Sequence, residues 1–276
     1  MKKTVLVTGA TGYLGKVVTR DLIRSRKYNI HLLLEDLNDY ESVNEHILSV
    51  GNIDIVLHMA AIVPSRKSAD EDIIQTNCFA TQNLASLCKE AHFIFLSTEC
   101  VFGSKPHGSW APNDVKEPET TYGISKSNAE DFLLNKGDMN KVCILRTSTL
   151  YGYDNPERKN FLRFLYESME SETQVEVYTD VCNRPTHVND VSAFILNVIE
   201  KEITGIVHAV SEDYVSRYEL SQLFCDAHGY SRDLLIPASQ PSSRKMPGQL
   251  NIEPSEMFTE QIRFPLKEGI LTCLEN

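Results

Sequence analysis

Tyr122 and Lys126 are the two residues whose types and spacing most directly indicate chemistry. They stand four positions apart at the start of a predicted helix over 122–136, so they share one helix face. A lysine ammonium beside a phenol favours the phenolate and lowers the tyrosine pKa from about 10, which predicts a general acid or base near neutral pH. Thr98 ends a predicted strand and offers a hydroxyl to the same substrate oxygen.

A glycine-rich turn near the N-terminus is the second chemical signal. Gly9, Gly12 and Gly15 follow an apolar run at 5–7 and lead into an amphipathic segment at 16–26, which predicts strand, turn and helix. Gly9 allows a sharp turn, Gly12 admits a pyrophosphate at the helix N-terminus, and Gly15 allows close packing. The spacing is Gly-x-x-Gly-x-x-Gly rather than Gly-x-Gly-x-x-Gly, and a plain loop is the alternative interpretation.

Apolar runs alternate with helical segments over the first 150 residues. Strands are predicted at 30–34, 53–57, 92–97 and 142–146, and helices at 39–50, 70–90 and 122–136. This alternation predicts an α/β fold with a doubly wound parallel sheet, whose ligands bind at the carboxyl ends of the strands. Glu35 lies 20 positions past Gly15, where such folds place the acid that binds the adenosine ribose; a solvated acid is the alternative.

The alternation weakens after residue 151. Helices are predicted at 160–171, 190–201 and 216–228, the last with a capping box of Ser216 and Glu219, and strands at 175–178 and 205–210. The polar segment 239–254 is interpreted as a substrate-side loop, with disorder as the alternative. We therefore expect a dinucleotide-binding domain over 1–152, completed by about 179–210, and a smaller interleaved substrate-binding part over 153–178 and 211–276.

Composition and charge exclude several function classes. The chain has 276 residues, a net charge of −11 and a pI near 5.2, which disfavours binding to a nucleic-acid backbone. No run approaches the roughly 18 apolar residues of a membrane span. Seven scattered cysteines form no Cys-x-x-Cys pair and no metal-ligand spacing. We expect a cytoplasmic protein with reduced thiols, no metal site, and neither nucleic acid nor membrane as a partner.

Taken in order, these segments resemble the extended short-chain dehydrogenase/reductases of the NAD-dependent epimerase/dehydratase superfamily. The closest similarity is to the dTDP-4-dehydrorhamnose reductase group, carried by residues 5–15, 35–39, 58–61, 77–84, 97–103, 122–126, 145–152, 184–190 and 205–220. The resemblance implies a Rossmann-type fold, an NAD or NADP cofactor and a nucleotide-sugar substrate. It also implies a homodimer formed through the helices at 70–90 and 125–136.

The resemblance implies specific roles for individual residues. Tyr122 would protonate a carbonyl oxygen as hydride arrives, Lys126 would bind the nicotinamide ribose, and Thr98 would bond the substrate oxygen. Tyr122 and Lys126 would also contact the cofactor, together with Gly9, Thr11, Gly12, Tyr13, Leu14, Gly15, Glu35, Asp36, Leu37, Ala60, Ala61, Asn77, Ser97 and Thr147. The implied substrate contacts are Glu99, Cys100, Thr149 and Arg184.

Three of these positions bear on the choice of ligand and reaction. Glu35 repels a 2′-phosphate, which favours NAD over NADP. Cys100 stands where sugar 4,6-dehydratases carry a glutamate, which disfavours dehydration; a packing residue is the alternative to a catalytic thiol. Arg184 suits a pyrophosphate, with a surface ion pair as the alternative.

Three hypotheses for the function follow from the residues and the resemblance. The first is a reductase of a 4-keto-deoxy nucleotide sugar. The second is a nucleotide-sugar epimerase on the same scaffold. The third is a non-catalytic cofactor-binding subunit, as in the β subunit of methionine adenosyltransferase.

Overall fold

The computed structural model describes residues 2–63, 68–105, 107–135, 141–152, 160–241 and 247–274. The chain forms two compact units that interleave along the sequence. The first unit comprises Met1–Phe102, Val115–Arg146 and Ser192–Val207, and the second comprises Gly103–Asp114, Thr147–Val191 and His208–Asn276.

The helices and strands follow one another in the order that the apolar pattern predicts for the first half of the chain. The strands are β1 (Thr4–Thr8), β2 (Asn29–Leu33), β3 (Ile55–His58), β4 (His92–Thr98), β5 (Val142–Thr147), β6 (Leu150–Tyr151), β7 (Val175–Tyr178), β8 (Cys182–Asn183), β9 (Thr186–His187), β10 (Gly205–His208), β11 (Val215–Ser216) and β12 (Leu235–Ala238). The α-helices are α1 (Tyr13–Ser25), α2 (Tyr40–Val50), α3 (Asp70–Ile74), α4 (Thr81–Leu87), α5 (Thr121–Asn135), α6 (Phe161–Glu170), α7 (Val188–Lys201), α8 (Arg217–His228), α9 (Glu256–Thr259) and α10 (Leu266–Leu271). The predicted end of α5 at Lys136 lies outside the described residues.

A six-stranded sheet with the order β10-β5-β4-β3-β1-β2 forms the centre of the first unit. β1 pairs in parallel with β2 and β3, and β3 pairs in parallel with β4. Val5, Leu6 and Val7 in β1 are fully buried, as a strand covered on both faces requires. The predicted Rossmann-type α/β fold is confirmed, and the parallel strands place their carboxyl ends at one edge.

The predicted helical stretch over 70–90 is helical from Asp70 to Leu87, but it is not a regular α-helix throughout. α3 and α4 are separated by a π-helical turn, Gln75–Ala80. Side chains stabilise this wider turn: the buried Asn77 bonds both backbone groups of Ile62, and the Thr81 hydroxyl donates to the Asn77 carbonyl. Periodicity does not detect such bonds, because they join the helix to a loop and to itself. π-helical turns often occur at functional sites.

Short two-stranded pairs characterise the second unit. β11 pairs antiparallel with β8, and β12 and β6 pair in parallel with β7 and β9. Its core includes Tyr151, Leu165 and Phe224, all nearly or fully buried. The capping box at the start of α8 is confirmed, because Ser216 and Glu219 each accept from the other's backbone N–H. Of the predicted loop at 239–254, residues 242–246 lie outside the described part.

None of the helices within the described ranges combines the length and apolar character needed to cross a bilayer.

Candidate active site

The glycine turn joins β1 to α1 at the carboxyl edge of the sheet. Gly9 has a positive φ of 71°, and a Cβ there would lie 2.5 Å from the Ala60 nitrogen. At Gly15 a Cβ would lie 2.0 Å from the Gly9 oxygen, so α1 packs against the turn only because this residue is glycine. A Cβ on Gly12 meets only that same oxygen, at 3.1 Å. The helix N-terminus at Tyr13 therefore begins beside an open backbone, which suits a pyrophosphate.

The segment after β2 carries the predicted adenosine contacts. Glu35 accepts hydrogen bonds from the Leu34 nitrogen and from His46 Nδ1, the latter at 2.9 Å. Burial raises the pKa of the Glu35 carboxyl, but these bonds outweigh it and hold that pKa below its usual range. Asp36 is exposed and accepts from Asn38, whereas Leu37 is buried. Glu35 therefore stays ionised, with a hydrogen-bonded orientation.

A glycine brings the catalytic candidates together. β4 ends at Thr98, which caps a 3-10 turn, Glu99–Val101. A Cβ on Gly123 would lie 2.0 Å from the Cys100 oxygen, so the first turn of α5 contacts the 3-10 turn only through a glycine. The sequence prediction missed this residue, although its position directly after Tyr122 was the available signal. The contact places Tyr122 close enough to Thr98 and Cys100 for both to affect its pKa.

The electrostatics of Tyr122 differ from the sequence prediction. Burial raises the pKa of its hydroxyl above 10.0, Cys100 and Glu99 raise it further, and the Thr98 hydroxyl only partly opposes this. The Tyr122 pKa is thus raised rather than lowered as predicted, because desolvation penalises the phenolate. Tyr122 therefore holds its proton at neutral pH.

Lys126 is buried, with only 2% of its surface exposed. Burial lowers the pKa of its amine from 10.5 to about 7, and the carboxylate of Glu130 partly opposes this. The nitrogen lies 3.9 Å from the ring centroid of Phe95. Among the described residues, none forms a hydrogen bond with this amine, which leaves it able to bind a ligand oxygen.

A buried ion pair lies one helical turn beyond Lys126. Glu130 accepts from Arg146 Nε at 3.0 Å and Nη2 at 2.7 Å, from Ser97 Oγ at 2.5 Å and from Lys116 Nζ at 3.2 Å. Burial raises the pKa of the Glu130 carboxyl, but Arg146, Lys116 and Ser97 more than reverse this, so the net shift is downward. The hydroxyl of Ser97, a predicted cofactor contact, is thereby fixed on Glu130.

Cys100 is a weak candidate for a catalytic base. Burial raises the pKa of its thiol to about 12, and the neighbouring Glu99 raises it as well. Glu99 is itself 5% exposed. The thiol is thus protonated at neutral pH, as expected of a packing residue.

The predicted substrate residues of the second unit form their own polar cluster. Thr149 Oγ1 accepts from Asn183 Nδ2 at 2.6 Å and from Arg217 Nη2 at 2.9 Å. Arg184 donates to Asn251 Oδ1 at 3.0 Å and to the backbone oxygen of Glu212.

The partners of Arg184 show whether it forms the surface ion pair that was the alternative to a pyrophosphate contact. Throughout the described part of the chain, no carboxylate forms an ion pair with Arg184, although the charges of Asp213, Glu212 and Glu253 act on it from a greater distance. Thr147, the remaining predicted contact, is buried at the end of β5. Arg217 was missed, and nothing in the sequence pattern distinguishes it from a surface arginine at a helix start.

The comparisons with known proteins agree with this geometry. Residues 1–264 match the RmlD substrate binding domain family. The chain belongs to this family. The predicted resemblance to the extended dehydrogenase/reductases, and to the dTDP-4-dehydrorhamnose reductase group within them, is thereby confirmed.

Individual relatives differ in their activities. A probable low-salt glycan biosynthesis reductase of Haloferax volcanii is 27% identical over 248 residues, covering 83% of this chain and 81% of that protein. The methionine adenosyltransferase 2 subunit beta of Danio rerio is 26% identical, covering 86% and 78%. The dTDP-4-dehydrorhamnose reductase of Bacillus anthracis, solved in complex with NADP, superposes with a TM-score of 0.87 at 23% identity and covers 98% of each chain. This last similarity establishes the fold.

Proposed function

We propose that the protein is an NAD(P)H-dependent reductase of a 4-keto-deoxy nucleotide sugar, with Tyr122 as its general acid. The observation that carries the proposal is the protonated Tyr122 beside Thr98, one helical turn from the buried amine of Lys126. Hydride addition to a ketone leaves an alkoxide, and a positioned acid must supply the proton. A tyrosine that resists ionisation suits that direction of the reaction. Family membership and the named reductases support the substrate class.

The residues of the first unit fit a nicotinamide cofactor. The open backbone at Gly12 accepts a pyrophosphate at the start of α1, and the Lys126 amine suits the hydroxyls of a ribose. When bound, the cofactor supplies the hydride. The chain's part is to hold Tyr122 and Thr98 at one carbonyl oxygen, where Thr98 orients and Tyr122 donates its proton. The contacts proposed for Ala60 and Ala61 lie in the loop after β3, and the one proposed for Asn77 lies in the π-helical turn that bonds this loop.

We further propose a preference for NAD(H) over NADP(H). Glu35 is ionised, partly exposed and fixed by His46, so its charge opposes a 2′-phosphate. Glu35→Ala should therefore bring the ratio of the two dissociation constants toward one. A wild-type protein that binds NADPH more tightly than NADH would contradict this interpretation of Glu35.

The epimerase hypothesis is less well supported than the reductase. An epimerase that used Cys100 as acid and base would need a thiol that ionises reversibly, and the raised pKa of this thiol opposes that. The non-catalytic hypothesis has a specific basis, because the beta subunit of methionine adenosyltransferase 2 is among the relatives. It predicts cofactor binding without turnover of any 4-keto nucleotide sugar.

The remaining substrate and assembly predictions are also proposals. Arg184 and Thr149 are proposed to bind the nucleotide sugar, because one offers a guanidinium that forms no ion pair among the described residues and the other a hydroxyl bonded by Asn183. A homodimer through the surface of α3, α4 and α5 is supported by Phe79 and Ile124, which leave 49% and 41% of their surface exposed. Light scattering at micromolar concentration tests it, and a monomer would refute it.

Steady-state kinetics of Tyr122→Phe test the proposed acid. With a 4-keto-6-deoxy nucleotide sugar, kcat should fall by at least about 100-fold, because general acid catalysis contributes roughly 10²–10⁴. The dissociation constant for NADH should stay within about threefold, since the hydroxyl and not the ring is removed. Tyr28→Phe is the matched control, because Tyr28 precedes β2 at the opposite edge of the sheet.

Two outcomes would overturn the proposal in different ways. Turnover by Tyr122→Phe at the wild-type rate would show that another group donates the proton. Cofactor binding without reduction of any 4-keto nucleotide sugar by the wild type would instead favour the regulatory-subunit hypothesis.

A further inference from the structure

His58 ends β3 as a fully buried histidine, and no role assigned above uses it. Its Nδ1 lies 2.6 Å from Thr8 Oγ1, and its Nε2 lies 2.8 Å from Thr81 Oγ1. The ring also stacks on Phe95, with 5.7 Å between centroids and 21° between planes. These contacts join three elements: β1, β4 and α4.

The hydrogen bonds of the two threonines decide which ring nitrogen carries the proton. Thr81 gives its only hydroxyl proton to the Asn77 carbonyl at 2.9 Å, so it accepts from His58 Nε2–H. His58 Nδ1 is then unprotonated and accepts from the Thr8 hydroxyl. The Thr8 oxygen in turn accepts from the Ala60 nitrogen at 3.2 Å. The chain of donors runs in one direction from Ala60 to Asn77, with each proton used once.

Asn77 extends this chain toward the catalytic helix. Its side chain accepts from the Ile62 nitrogen at 2.7 Å and donates to the Ile62 oxygen at 3.0 Å. The same amide donates to Ser125 Oγ at 3.2 Å, and the Ser125 hydroxyl donates to the backbone carbonyl oxygen of Tyr122 at 2.7 Å. The two ends of the chain are thus the proposed cofactor contact at Ala60 and the backbone of Tyr122.

A second path leads from His58 to Lys126. The Phe95 ring that stacks on His58 is the ring over which the Lys126 nitrogen lies. Burial and, to a smaller extent, the charge of Lys126 lower the pKa of His58 to about 3. The ring therefore stays neutral across the physiological range, which is the state that the donor chain requires.

We propose that His58 is a positioning residue whose neutral Nε2–H tautomer holds the loop at 60–62, the backbone of Tyr122 and the ring beneath Lys126 in one arrangement. This proposal rests on the proposed function, because that function makes these three groups parts of the cofactor and catalytic sites. It extends that function to four residues outside the predicted catalytic and cofactor sets: Thr8, His58, Thr81 and Phe95.

The tautomer is tested on the wild-type protein by ¹⁵N NMR of histidine-labelled, ligand-free samples, with the His58 signals assigned by their loss in His58→Gln. The expected pattern is a protonated Nε2 and an unprotonated Nδ1 at every pH from 5 to 9, given the lowered pKa of this ring. A protonated Nδ1, or a titration between pH 5 and 8, would overturn the proposal. This measurement requires neither activity nor bound cofactor.

Paired substitutions at Thr81 test the positioning role. Thr81→Val keeps the volume but removes the acceptor of the His58 Nε2–H and the hydroxyl donor to the Asn77 carbonyl, whereas Thr81→Ser keeps the hydroxyl. The dissociation constant for NADH should rise about tenfold in Thr81→Val and stay within about threefold in Thr81→Ser. Hydrogen exchange at the Ala60 and Ile62 amides should accelerate in the valine variant only.

The outcomes separate this proposal from the proposed function. A lower melting temperature in Thr81→Val, with unchanged NADH affinity and unchanged exchange at Ala60, would show a merely structural residue and overturn the inference. Equal losses of NADH affinity in Thr81→Val and Thr81→Ser would overturn the inference as well. Failure of the proposed function would appear instead as an inactive wild type, which leaves the tautomer and exchange results readable.

Discussion

Lys126→Met should reveal by how much the buried amine of Lys126 destabilises the folded protein. Burial lowers the pKa of Lys126 from 10.5 to about 7. In the unfolded chain the lysine binds its proton up to its ordinary pKa, whereas in the folded chain it releases the proton near pH 7. The folded state is therefore penalised in full below pH 7, and the penalty disappears as pH rises toward 10.5.

The size of the penalty follows from the shift. A pKa difference of about 3.5 units corresponds to about 5 kcal/mol at low pH, at about 1.4 kcal/mol per unit. Methionine has a similar length and no charge, so Lys126→Met should be more stable than the wild type. This gain in the free energy of unfolding should follow the pH dependence of the penalty. The gain should change by less than about 0.5 kcal/mol between pH 6 and 7, then fall by about 2 kcal/mol between pH 7 and 9.

Urea unfolding of both proteins at pH 6, 7, 8 and 9, without cofactor, measures this difference. Lys89→Met serves as the control, because Lys89 is an exposed lysine past the end of α4 and its removal changes only the net charge. A stability difference between Lys126→Met and wild type that is flat across this range, or that grows with pH, would refute the burial argument.

Four further substitutions test the contacts described above. Gly12→Val should fold but bind NADH at least about 100-fold more weakly, which calorimetry measures. Gly15→Ala, whose Cβ would lie 2.0 Å from the Gly9 oxygen, should instead lower the melting temperature sharply, which thermal unfolding measures. Arg146→Met should destabilise the protein by about 3–5 kcal/mol in urea unfolding, because it leaves Glu130 buried without its bidentate partner, and a loss below about 1 kcal/mol would contradict this. Ser216→Ala should cost about 1 kcal/mol through loss of the capping box, and the same measurement checks it against Ser216→Thr.

Local signals in the sequence predicted the features that depend on neighbouring residues. The turn at Gly9 needs a positive φ, and the capping box needs only Ser216 and Glu219, so both are visible in a few positions. The first five strands of the sheet were predicted within two residues at each end, because buried parallel strands are short apolar runs. The order of these elements then indicated which residues meet at the carboxyl edge.

The features that the sequence did not predict depend on contacts between distant positions. The π-helical turn before α4 follows from Asn77 binding Ile62, which lies 15 positions earlier. The buried pair of Glu130 and Arg146 joins a helix to a strand, and neither residue differs by type from a surface charge. The small strand pairs of the second unit are two to four residues long, too short for periodicity to detect.

The difference between local signals and contacts made by the whole fold also explains the wrong prediction of a lowered Tyr122 pKa. Tyr122 and Lys126 both lie in α5, and their spacing predicts a shared helix face. A charge effect between them also depends on whether the charge exists and on how much water surrounds both groups. In the ligand-free protein burial acts on both residues at once, keeping the tyrosine protonated and bringing the lysine close to neutrality at pH 7. Residue types and spacing therefore indicate which groups could react, whereas their protonation depends on the solvent that the fold excludes.

Protonation in this site has a consequence for the order of events in the proposed reaction. Tyr122 and Cys100 keep their protons and His58 is neutral, while the buried charge of Glu130 is matched by Arg146. The titratable group near its midpoint at neutral pH is Lys126, and its amine has no hydrogen-bond partner among the described residues. A ligand that offers oxygen acceptors to this amine stabilises the ammonium, which in turn makes the Tyr122 phenolate less costly after proton donation. In the proposed reaction Tyr122 would thus begin protonated, and a bound ligand would complete the charge that stabilises the resulting phenolate.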